Sequence, residues 1–236
     1  MKIAILSALT ILISGTAQAE GIYIEGSVFS LRSQDGKSAT STSGLYSSGT
    51  QKNISFGADT NVSIAVGYQF SNWLRADLSY SQFASNLSWQ GSFPGFSDTN
   101  FTGKTQSRAL MTNLHLHGKG INPDLFKTID PFVTIGVGFS QNKISNTIEA
   151  SQNSGDTLGN IADGSSTRVV YKLGIGAGYA VTPHWTLACS ADMIYLGRFQ
   201  TGNTRTTPGG AITPIGNWQV DRKPSLMLSI DTRYSF

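Results

Sequence analysis

The chain has 236 residues, of which 39% are hydrophobic, 10% aromatic and only 13% charged, with 26 Gly and one Cys. Charged content near half the usual quarter is too low for an ordinary soluble domain, and a mean hydropathy of −0.10 is too polar for a helical membrane bundle. A net charge of +3 supplies no concentrated basic stripe for nucleic acid, and one Cys excludes a disulfide framework or a multi-cysteine zinc site.

The first segment reads as an export signal. Met1-Lys2 is a basic start, residues 3–15 are apolar, and Ala17-Gln18-Ala19 places small residues before Glu20. The apolar run is shorter than the roughly 18 residues of a spanning anchor. The expected organisation is a signal peptide over 1–19, cleaved after Ala19, and a single domain over 20–236.

Alternation of period two then recurs over 22–31, 61–70, 73–83, 107–117, 132–141, 168–181, 185–196 and 225–236. Each run approaches the length with which a tilted strand crosses a bilayer. The segments 32–60, 84–106, 142–167 and 197–224 are long and rich in Ser, Gly, Thr and Asn, whereas 71–72 and 182–184 are tight turns. The pattern predicts an all-β fold, an eight-stranded antiparallel up-and-down transmembrane barrel with four long extracellular loops.

Three features point the apolar face outward into lipid. The polar face is mostly small, as at Ser63, Gly67, Ser79, Gly136, Gly174 and Ser190, which suits a crowded barrel interior. Aromatic residues such as Tyr68, Trp73, Tyr80, Tyr179, Trp185 and Tyr234 gather toward strand ends, like membrane-boundary girdles. The sequence also stops on its last strand at Phe236.

That last strand, with Leu228, Ile230, Tyr234 and Phe236 on one face, resembles the C-terminal assembly signal of Gram-negative outer-membrane β-barrel proteins. The pieces 130–139 and 172–179, and the Asn72-Trp73 and His184-Trp185 strand entries, are similar to the small-barrel superfamily of opacity-type surface proteins and the outer-membrane protein A transmembrane domain. The resemblance implies outer-membrane lipid and the barrel assembly machinery as partners.

The inward face carries Glu25, Arg75, Asp77, Lys172, Asp192, Asp231 and Arg233, with Arg168 nearer a rim. Such charges serve as an ion pathway, as a catalytic cluster or as a paired lumen network; an interior filled by side chains favours the network. His115 and His117 share that face, a spacing that suits a metal or haem ligand pair or a general base, but no Cys or carboxylate stands beside them at ligand spacing, so no metal or cofactor is expected. Cys189 faces lipid by parity. In the second loop Trp89, Phe93, Phe96 and Phe101 are the interaction candidates; they either dock a partner or pack on neighbouring loops.

The function expected is a non-enzymatic surface protein whose loops reach a host or surface ligand, or which supports envelope integrity. The alternatives are a narrow porin-like channel for small or apolar solutes and, less favoured, a lipid A-modifying enzyme, for which no His-x-Ser arrangement stands at a strand end.

Overall fold

The computed structural model describes residues 21–32, 38–41, 46, 49–57, 60–93, 98–126 and 128–236. The expected signal peptide lies outside the described residues. Among those described, fifteen strands form: β1 (Gly21–Arg32), β2 (Ser38–Ser41), β3 (Thr50–Phe56), β4 (Thr60–Ser71), β5 (Leu74–Ser92), β6 (Thr99–His117), β7 (Ile129–Ser151), β8 (Thr157–Ile161), β9 (Gly164–Ala180), β10 (Trp185–Tyr195), β11 (Arg198–Gln200), β12 (Thr204–Thr206), β13 (Ile212–Pro214), β14 (Trp218–Asp221) and β15 (Ser225–Ser235).

The expected eight-stranded barrel with four long loops is therefore corrected. Twelve strands belong to one uneven sheet and three, β2, β14 and β11, to a second. Within the larger sheet antiparallel pairings run through β1, β4, β5, β6, β7, β9, β10 and β15, and β15 pairs with β1. Strand lengths are far from uniform: β7 has 23 residues and β10 has 11. The short β3 is added beside β5, and β8, β12 and β13 extend the wall from β7.

The physical reason for the extra strand is a change of polarity along unbroken alternation. On β5 the inward residues begin as Arg75, Asp77, Ser79 and Ser81 and continue as Phe83, Leu87 and Trp89. The outward residues begin as Leu78 and Tyr80 and continue as Gln82, Asn86 and Ser88. Parity never breaks, so the chain stays extended. What changes is its surroundings: apolar outside and polar inside near the termini, then polar outside and apolar inside at the far end.

The far end is consequently a buried core of its own. It gathers Phe29, Leu31, Phe56, Phe83, Leu87, Trp89, Phe101, Met111, Ile144, Ile194, Phe199, Trp218 and Val220. Closer to the termini the outward band is bare, with Ile135 54%, Ile175 65% and Ile230 64% exposed. An apolar surface of this extent needs an apolar neighbour.

Candidate functional site

The interior near the termini is built around Asp77. Its carboxylate accepts from the Tyr23 hydroxyl at 3.0 Å and the Asn113 side-chain amide at 2.6 Å, and lies 2.7 Å from His115 Nε2. His115 Nδ1 in turn lies 2.9 Å from Thr134 Oγ1. This joins β1, β5, β6 and β7 through one buried carboxylate.

One residue pair toward the termini, Arg75 donates to Glu25 at 3.1 Å, its guanidinium lying 5.1 Å from the Tyr23 ring centroid and 5.6 Å from that of Phe132. Tyr23 and Phe132 reach these positions because Gly67 and Gly176 lie beneath their rings, where a Cβ would occupy the same space. On the opposite wall Ser190 donates to Asp192 at 2.6 Å, Ser229 donates to Asp231 at 3.0 Å, and the two hydroxyls are 2.7 Å apart.

Between these groups is a cavity of about 50 Å³ bordered by Glu25, Arg75, Asp77, Lys172, Asp192 and Asp231. It has space for a few water molecules. Arg233 does not border that cavity but sits beside it, opposite Glu25 in register and with its guanidinium 5.5 Å from the Tyr23 ring centroid. It donates to Thr186 at 3.4 Å and, with Glu25, Arg75 and His117, borders a space of about 380 Å³ at the terminal end.

His115 and His117 do not converge. His115 belongs to Asp77, His117 lies 2.8 Å from Asp130, and Phe132 packs against both imidazoles. Among the described residues no three His, Cys, Asp or Glu side chains are arranged to hold a metal. Thr134, His115 and Asp77 have the order of a hydroxyl, a base and its orienting carboxylate. The cavity beside them is small, and the chain of contacts links β5, β6 and β7.

The loop aromatics are placed inside the far end. Trp89, Phe93 and Phe101 are 1%, 5% and 0% exposed, and Phe96 lies outside the described residues. Trp89 stacks on Phe101 with centroids 4.9 Å apart, while Tyr46 and Trp218 pack against Phe93 and Phe101. Sequence reading missed Tyr46 and Trp218. The alternation Trp218, Val220 was a usable signal for the second.

The family model for the outer membrane protein beta-barrel domain matches residues 4–210. The chain belongs to that family. It is similar in fold to the outer membrane protein OprG from Pseudomonas aeruginosa, with 13% identity, a TM-score of 0.60 and coverage of 93% of this chain and 98% of that one. It is likewise similar to a major outer membrane protein from Thermus thermophilus, with 13% identity, a TM-score of 0.50 and coverage of 90% and 99%. No curated protein matches by sequence. Membership places this beta-barrel-domain protein in the outer membrane, and the bare apolar band is the surface that meets lipid. Leu228 and Ile230 of β15 lie on that outward face at 40% and 64% exposure, and Phe236, one residue past β15, packs edge-on against Tyr234.

Proposed function

We propose that the protein is a non-enzymatic surface protein of the outer membrane, closed to solutes, whose strands carry an ordered interaction surface outward from the cell. The observation behind this reading is the polarity switch on β5, β6 and β7. Beyond Tyr80 the outward face of β5 turns polar for about ten residues, on the order of 30 Å of strand. A polar exterior around a dry aromatic core is what a water-exposed extension requires. The same core lies across any path through the interior, which argues against the porin-like alternative.

The interior charges serve, on this reading, as a paired network, and Trp89, Phe93 and Phe101 as the support of the displayed surface. Cleavage after Ala19 and recognition of the last strand by the barrel assembly machinery complete the proposal. The mass of the mature chain, starting at Glu20, tests the cleavage.

The function is tested by comparing adhesion of cells expressing the protein with cells expressing a variant shortened at turns 152–155 and 207–211. Reduced adhesion with unchanged surface abundance is expected. Unchanged adhesion, or steady single-channel conductance from the purified protein, overturns the reading.

A further inference from the structure

We propose that the outward face of β6 and β7, immediately above the lipid-facing band, binds the phosphorylated headgroup of an outer-leaflet glycolipid. The β6 outward residues run Lys104, Gln106, Arg108 and then Leu110; those of β7 run Lys143, Gln141 and then Phe139. Register puts Arg108 opposite Gln141, Lys143 opposite Gln106, and Leu110 opposite Phe139. Lys143 is thus the diagonal neighbour of both Arg108 and Lys104, at a separation of roughly 7–8 Å. Three cations form a zigzag across two strands.

A groove of about 470 Å³ lies on this face, bordered by Gln106, Arg108, Gln141, Lys143, Asp163 and Ser165. Asp163 is already engaged. It lies 2.8 Å from Lys143 Nζ and accepts from the Asn146 amide at 3.1 Å, which fixes Lys143 at the groove edge. Arg108 and Lys104 have no ion-pair partner among the described residues. A forked guanidinium, an ammonium and two carboxamides supply donors in the arrangement that phosphate oxygens and sugar hydroxyls accept.

Height above the membrane decides between a lipid and a soluble anion. The pair directly below the groove, Leu110 and Phe139, is 51% and 65% exposed and belongs to the hydrocarbon-facing band. The groove therefore sits where headgroup phosphates lie, and basic pockets at that depth recognise anionic headgroups. At the same level the neighbouring β5 presents only Gln82, Ala84 and Asn86.

The experiment uses the mature protein in nanodiscs of zwitterionic lipid, titrated with bis-phosphorylated lipid A and followed by native mass spectrometry. Dephosphorylated lipid A and inorganic phosphate are the comparison arms. Saturable binding of the phosphorylated form is expected, weakened by about fivefold in each of Arg108→Gln and Lys143→Gln and unchanged in Lys52→Gln, a cation of β3 outside the groove. All three positions are on exposed strand faces, and heat-dependent gel mobility checks that each variant folds. Equal binding of the dephosphorylated form, or insensitivity to both groove substitutions, overturns the proposal. Displacement by equimolar inorganic phosphate also overturns it and reassigns the groove to a soluble anion.

Discussion

Trp89 and Phe101 stack with ring centroids 4.9 Å apart and planes within 4°, from directly opposed positions on β5 and β6. Both are buried, and Trp218 closes on them from β14 at 5.7 and 5.4 Å. Trp89→Ala removes the stacked partner and opens a cavity that the surrounding strands fill only partly. A loss of about 3–5 kcal/mol is expected, as for other buried tryptophans, measured by urea titration in lipid vesicles. A loss below about 1 kcal/mol, the range of a surface substitution, contradicts the assignment of this stack to a packed core.

How much of this was readable depends on which face is considered. The outward band was legible because Ile135, Ile175 and Ile230 alternate with small residues, and the inward charges followed from parity. The extension was legible only in part, at residues 86–89 as a continuation of the third run above the membrane, because the apolar-outward pattern ends near residue 83. Yet Phe83, Leu87 and Trp89 keep the parity of Arg75 and Asp77. Their environment had inverted, not their conformation. The partnership of Asp77 with His115 was also hidden, since register sets Asp77 opposite Asn113 and Arg75 opposite His115. The contact is a diagonal that only the folded hairpin defines.

That diagonal makes a second prediction. Asp77 gathers three donors in a buried setting, so removing its charge leaves Arg75 with less compensation and strands the Tyr23 and Asn113 groups. Asp77→Asn is expected to cost about 3–5 kcal/mol. In a double-mutant cycle with His115→Ala the two losses should fall short of additive by about 1 kcal/mol or more. Additive losses in vesicle unfolding are the result that breaks the network apart.

Arg222 predicts a gain. Its side chain is buried, its guanidinium lies 4.6 Å from the Phe56 ring centroid, and Nε and Nη2 have no hydrogen-bond partner among the described residues. Burial pushes its pKa down to about 10. The side chain therefore still carries its charge at neutral pH, and holding that charge in a buried setting costs the folded state free energy. Arg222→Met keeps the length and removes the charge. Stabilisation of about 1–4 kcal/mol is expected, after the loss of a cation–π contact worth about 0.5–2 kcal/mol. A destabilised variant contradicts the view that this charge is uncompensated.

At the far end Tyr46 predicts an alkaline transition. Its hydroxyl donates to Glu149 Oε2 at 2.9 Å, and Arg205 Nε donates to the same oxygen. Burial and the adjacent Glu149 carboxylate raise the tyrosine pKa above its ordinary value. A raised folded-state pKa gives stability that is fully present below the unfolded value near 10 and is lost as pH rises from there toward the folded value. Tyr46→Phe keeps the ring against Phe93 and Trp218 but removes the ionisable hydroxyl. At pH 8 it should cost about 1.5–3 kcal/mol, the worth of a hydrogen bond to a charged group. The deficit should then shrink over roughly pH 9.5–11.5, because only the parent chain loses the tyrosine contribution. The check is unfolding free energy against pH for both proteins, and parallel curves would remove Tyr46 from the coupling.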